Sequence, residues 1–309
     1  MTSRPVLNPY LILGVGILFI SFSAILVRSS TAPPMVIAAY RLLLTACLLS
    51  PVWWLKHRRE VLSLNRRDWA LAFLSGIFLA LHFALWFSSL FYTSVASSTV
   101  LVTLQPVFAF VGAYFLFGEK TRPAALVGAA TAVVGGMVLG WGDLALGGTA
   151  LLGDIMALGG AAMVTGYWLT GQHLRKNLSL ITYTYIVYTT AGLLLAAASL
   201  LAGYAPFSYP VREWLIFLLL AVFPTLLGHS LLNWVIRWVP ATTVSVSILG
   251  EPVGAALLAY WIFHEQPGPF QWTGGILIVL GVYFFLRTKE APETIQTTPP
   301  PRRQEVKDH

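Results

Sequence analysis

The sequence predicts an all-α membrane protein: ten transmembrane helices built as two inverted repeats of five, with the N- and C-termini both cytoplasmic. Three observations carry that expectation. Only 10% of the 309 residues are charged against 57% hydrophobic, with a mean hydropathy of +0.75, whereas soluble domains hold roughly 25% charged residues. The apolar residues fall into continuous runs of the ~20 residues that a helix needs to cross ~30 Å of hydrocarbon. The second half of the chain then repeats the first.

Taken in order, the spans are 9–28, 35–55, 69–91, 96–117, 123–141, 150–172, 180–202, 212–235, 241–263 and 270–286. Charge clusters and Pro/Gly pairs separate them, among them KHRRE (56–60), GEKTRP (118–123) and HEQPGP (264–269), the residue types that close helices. None of the runs alternates in polarity as a barrel strand must. The first span follows Arg4 and precedes Ser29, Ser30 and Thr31 in the manner of a signal peptide. Its apolar run is longer than a signal core and the repeat requires it, so it is expected to stay. The tail 288–309 has no apolar periodicity and is expected to be disordered on the cytoplasmic side.

Basic residues set the orientation. With the N-terminus inside, most of the 19 Lys and Arg fall in inside segments: Arg4, Lys56, Arg58, Arg59, Arg66, Arg67, Lys120, Arg122, Arg175, Lys176, Arg237 and the C-terminal group. The net charge of +7 is therefore a topology signal. No soluble basic domain points to nucleic acid.

A shift of 146 residues places Pro106 on Pro252, Val107 on Val253, Tyr114 on Tyr260, Phe117 on Phe263, Glu119 on Glu265, Pro123 on Pro269, Gly128 on Gly274 and Gly135 on Gly281, with Val100 on Val246 further upstream. The repeats are 9–141 and 150–287. Five crossings in each make the second copy start on the opposite side. Inverted repeats serve transporters, which bind substrate near the midplane between the halves and open alternately to each side.

Polar residues inside the spans mark the candidate site. Glu251 directly precedes Pro252 within VSILGEPVGAALLAYWIF (246–263), and Gln105 holds the same place before Pro106. Proline frees backbone groups one turn back, near Val102 and Ile248, and broken backbone at that depth is tolerated only against protein or a wet cavity. An ionised carboxylate at mid-bilayer costs at least ~2.5 kcal/mol. Glu251 is thus expected at a substrate cavity, the alternative being a bond to Ser247. The third span presents Phe78, His82, Trp86 and Ser89 on one stripe, the eighth Thr225, His229 and Asn233, and the sixth Tyr167, Trp168 and Gln172. Arg41 is expected to snorkel to lipid or to meet Asp154, a structural role. Spans five and ten carry glycines suited to close packing.

No HExxH, GxSxG, Walker loop or CxxC is present, and Cys47 stands alone. The chain is not expected to be an enzyme, and neither metal nor cofactor is called for. The block FGEKTRPAALVGAATAVVGGMVL (117–139), its repeat FHEQPGPFQWTGGILIVLGVYF (263–284) and AAYRLLLTACLL (38–49) resemble the drug/metabolite transporter superfamily, in its ten-helix EamA-like branch. Within it the chain is similar to YddG-type amino-acid exporters. The resemblance implies export of small metabolites, notably amino acids, across a bacterial inner membrane, and places His82, Trp86, Gln105 and Tyr167 at the cavity. Exporters of aromatic amino acids carry Trp where this chain has Gln105, and the helix 1 tryptophan is missing from ISFSAI (20–25). A broad range is therefore expected, neutral amino acids first, with aromatic ones not excluded.

The expected site is His82, Trp86, Gln105, Tyr167, Trp168, His229, Asn233 and Glu251. Its partners are an amino acid and the lipid bilayer, and a monomer suffices. Transport by alternating access would be facilitated or driven by a gradient. Two rivals are a multidrug exporter of lipophilic cations and a membrane interaction protein that transports nothing.

Overall fold

The computed structural model describes residues 5–93, 98, 101–141, 149–264 and 266–289. Arg4, Val100, Glu265 and the expected tail beyond Lys289 lie outside the described residues. Among the described residues the chain is helical, without strands. Eight helices are apolar and long enough to span a membrane: α1 (Pro9–Arg28), α2 (Pro34–His57), α3 (Arg66–Ser89), α6 (Ala150–Leu174), α7 (Leu180–Leu201), α8 (Val211–Val235), α9 (Ala241–Ile262) and α10 (Pro269–Thr288). Two shorter apolar helices, α4 (Gln105–Phe117) and α5 (Pro123–Gly140), complete the set. The first residues expected in the fourth span lie outside the described residues, except Ser98 and those from Leu101 on.

Local chemistry sets the ends. Pro9, Pro34, Pro123 and Pro269 open their helices, at positions where a missing N–H costs nothing. Side chains of Asn8, Asn65 and Ser179 accept from the backbone N–H of Tyr10 (2.9 Å), Asp68 (2.9 Å) and Thr182 (3.2 Å), each satisfying an orphan donor of a first turn. α4 ends at Gly118 with φ +65°, and α9 at His264 with φ +55°. These two left-handed residues occupy equivalent places in the two repeats, one of them without a glycine.

Helices α5 and α10 give the symmetry most directly. A Cβ on Gly128 would stand 2.9 Å from the carbonyl O of Gly281 and 2.6 Å from the N of Phe285; one on Gly274 would stand 2.5 Å from the O of Gly135 and 2.4 Å from the N of Leu139. The shift of 146 turns the first set of contacts into the second. Gly128 meets Gly281 while Gly135 meets Gly274, so the two helices run antiparallel, as inverted repeats require. The same exchange relates α3 packed on α6 to α8 packed on α1, and α2 packed on α7 maps onto itself.

Four helices depart from regular geometry where they approach the centre. α1 is interrupted at Ser21, α9 at Leu249 and Gly250, and the turn at Leu104 precedes α4. α8 widens to a π-helix over Ala221–His229 around Pro224. Such widened turns cluster at functional sites because they re-aim side chains.

Candidate functional site

The two proline breaks create the site. Pro106 and Pro252 each sit at the first turn of the helix segment that follows its break. The carbonyl of Gln105 accepts the Thr165 hydroxyl of α6 (3.1 Å), and the carbonyl of Glu251 accepts the Ser21 hydroxyl of α1 (3.2 Å). A hydroxyl from the first helix of the other repeat thus reaches the backbone at each break. Gly254 makes room for this contact, since a Cβ there would fall 2.2 Å from Ser21 Oγ. Neither Ser21 nor Thr165 stands out in the sequence, because both hydroxyls also bond back to their own helix, at Ile17 and Ala161.

Between the breaks lies a small cavity of about 50 Å³. Its wall is formed by Ile20 and Ser23 of α1, His82 and Trp86 of α3, Val102, Thr103 and Gln105 at the fourth span, Val164 and Trp168 of α6, His229 of α8, and Ile248, Glu251 and Pro252 of α9. Both repeats contribute. Six of the eight residues expected from the sequence line it: His82, Trp86, Gln105, Trp168, His229 and Glu251. Tyr167 and Asn233 stand behind that lining, where Asn233 Nδ2 donates to the Tyr167 hydroxyl and to the carbonyl of His229 (2.8 Å). The lining residues Ser23, Thr103, Val102, Val164, Ile20 and Ile248 carried no sequence signal beyond lying near the breaks.

The histidines are half of two aromatic stacks. His82 lies on Trp86 (5.6 Å between centroids, 20°) and His229 on Trp168 (5.7 Å, 9°). His82 Nδ1 meets the Gly160 carbonyl at 2.9 Å, so the neutral ring donates there and leaves Nε2 as an acceptor. The indole N–H groups of Trp86 and Trp168 are buried without a partner. Among the described residues the carboxylate of Glu251 makes no hydrogen bond and no ion pair. The expected alternative bond to Ser247 is not formed: Ser247 Oγ is itself without a partner, because the turn at Leu249 and Gly250 separates the two side chains.

Arg41 is corrected as well. It neither reaches lipid nor meets Asp154, which accepts from Thr93 Oγ1 at 2.8 Å. The guanidinium is fully buried: Nε donates to Thr225 Oγ1 (3.0 Å), Nη1 to Ser23 Oγ (3.1 Å), and the group lies 4.4 Å over the Phe83 ring. Depth along a span can be read from a sequence, whereas the direction in which a side chain leaves the helix depends on its neighbours.

On the face that bears the N-terminus a hydrogen bond joins the two repeats: Thr242 Oγ1 donates to Glu119 (2.6 Å). Beside it, within the second repeat, the N–H of Ala241 donates to Gln172 (2.5 Å). No group of three or more His, Cys, Asp or Glu able to hold a metal ion occurs among the described residues.

A pair of inverted helical repeats enclosing a cavity lined from both halves near the middle of the spans defines a multi-pass membrane transporter. The chain belongs to the EamA-like transporter family, whose model matches residues 8–141 and again 151–287. An uncharacterized transporter of Archaeoglobus fulgidus is 23% identical over 269 residues, covering 85% of this chain and 91% of that one. The uncharacterized transporter YwfM of Bacillus subtilis is 24% identical over 253 residues, covering 82% and 84%. A protein of known crystal structure shares the fold with a TM-score of 0.76 at 22% identity, over 92% of this chain and 99% of that one.

Proposed function

We propose that the protein exports amino acids, neutral ones foremost, through the cavity between its repeats. One observation carries the reading: Glu251, whose carboxylate makes no hydrogen bond or ion pair among the described residues, lines one cavity with Trp86 and Trp168, whose buried indole N–H groups have no partner. Buried polar groups are normally paired, so a ligand that satisfies both kinds must offer a donor and an acceptor at once. A zwitterion does. Its ammonium donates to Glu251, its carboxylate accepts from the indoles and the Gln105 amide, and its side chain packs on the Trp–His stacks.

Both termini would be cytoplasmic in a bacterial inner membrane, from the bias of basic residues. The tie of Glu119 to Thr242 would then close the cytoplasmic side, and exchange of equivalent contacts between the repeats would open it. Glu251 touches substrate in this reading, and transport runs downhill, since its counterpart Gln105 is uncharged and supplies no second carboxylate to relay a proton. Aromatic walls around a single acid also suit a lipophilic cation.

Ligand-dependent melting of the purified protein separates the readings. A ligand at 100 times its dissociation constant stabilises by about 2.7 kcal/mol, so the right class raises the midpoint measurably. Neutral amino acids are expected to do so. A rise with quaternary ammonium compounds alone would support the multidrug reading, and no rise with either would favour a protein that transports neither.

A further inference from the structure

Arg41 is 0% exposed and holds three helices together, from α2 to Ser23 of α1 and Thr225 of α8. Its Nη2 has no partner. The ion pair seen among the described residues is His57 with Glu60, so no carboxylate stands within ion-pair distance of this buried guanidinium. A helix clamp does not need a charge: an apolar side chain of similar volume would hold the same helices without the cost of desolvating one. The charge calls for an anion.

The geometry says where that anion would bind. Ser23, which accepts from Arg41 Nη1, lines the cavity, and its own hydroxyl hydrogen remains to be donated. The acid in the wall of the same cavity is Glu251. Positive and negative poles thus serve one space without touching each other. We propose that Arg41, acting through Ser23, is the pole that orients the substrate carboxylate, paired across the cavity with Glu251 as the ammonium pole. The substrate class narrows accordingly to molecules that carry a free amino group and a free carboxylate together. This rests on the amino-acid reading of the cavity.

The test compares the tightest-binding of the twenty L-amino acids with the amine left by removing its carboxylate, by calorimetry on purified protein. Wild type is expected to prefer the amino acid by about 10- to 100-fold, the range for a hydrogen bond to a charged group. Arg41→Met should lower amino-acid affinity to within about threefold of the amine while leaving the amine where it was. Arg41→Lys should restore part of the preference. Ser23→Ala keeps the bond to Thr225 and should move the ratio in the same direction, so it carries the test if Arg41→Met does not fold. A preference that survives in both Arg41→Met and Ser23→Ala overturns the assignment, as does an equal loss for amine and amino acid. Failure of wild type to bind any of the twenty sinks the amino-acid reading itself.

Discussion

Gln105 and Glu251 stand at equivalent positions before equivalent prolines, yet one is neutral and the other acidic. That difference polarises a cavity whose backbone is nearly symmetric. Gln105→Trp, which adds volume to the wall, is expected to weaken binding of large amino acids relative to alanine by about tenfold, the scale of one or two buried methylenes of misfit. Competition binding across a size series measures it, and an unchanged ranking would remove Gln105 from the site. The position of both residues was readable from the proline that follows each. The orientation of Arg41, the placing of Tyr167 behind the wall and the hydroxyl bonds of Ser21 and Thr165 were not, because each depends on which neighbouring helix stands opposite.

Helices α5 and α10 approach so closely that glycine is a requirement at their crossing. Gly274→Ala would place a methyl 2.4 Å from the backbone N of Leu139, forcing two backbones apart at an overpacking cost of about 1–3 kcal/mol. Gly14→Ala, where a Cβ meets nothing within 4 Å, should leave the melting midpoint unchanged. A midpoint that falls equally in both variants would contradict the packing account. These glycines were legible as a packing surface, though their partner was not.

Two carboxylates also tie the helix ends. Glu60, in the segment between α2 and α3, accepts from the N–H of Ser179 (2.6 Å) and from the hydroxyls of Ser179 and Thr182 at the start of α7. Glu213 at the start of α8 accepts from the N–H (3.0 Å) and hydroxyl (3.0 Å) of Thr31 and from the Ser30 hydroxyl, just before α2. Each repeat thereby anchors the second helix of the other, on opposite faces. Burial alone would raise the Glu60 carboxyl, but the hydrogen bonds from Ser179 and Thr182, with His57 beside them, outweigh it and hold the group below its usual value. A depressed carboxyl contributes stability that is present above the unfolded value of about 4.5 and is lost as pH falls through the folded one. Glu60→Gln is expected to lower stability by about 1–2 kcal/mol at pH 7 and to flatten the acid limb below pH 4.5. Denaturant titrations at pH 7 and pH 4 measure both, and a mutant that keeps the wild-type acid limb would show that the tie adds nothing.

At the scale of the whole molecule the repeat is the organising fact, and it was the most legible feature of the sequence. Continuous apolar runs fix the number of crossings, and the odd number per half fixes the inversion. The interruption of α1 at Ser21 and the π-helix of α8 escaped, because one carries no proline and the other keeps its helix despite one. On the N-terminal face the bond between Glu119 and Thr242 joins the repeats. Glu119→Gln replaces the charge-assisted bond to Thr242 by a weaker neutral one, and is expected to open that face more often. A cysteine in place of buried Ser245, with the exposed Cys47 removed, should then react with a thiol reagent several-fold faster, a population shift of about 1 kcal/mol. Unchanged reactivity would place the seal elsewhere.

The most direct measurement is counterflow. Liposomes holding the protein and loaded with an unlabelled neutral amino acid are diluted into a trace of the labelled one. Wild type is expected to accumulate label transiently, and Glu251→Gln, which removes the ammonium pole, to accumulate at least tenfold less, the loss of one charged hydrogen bond. Absence of counterflow with any of the twenty amino acids, or accumulation by Glu251→Gln equal to wild type, would contradict the account.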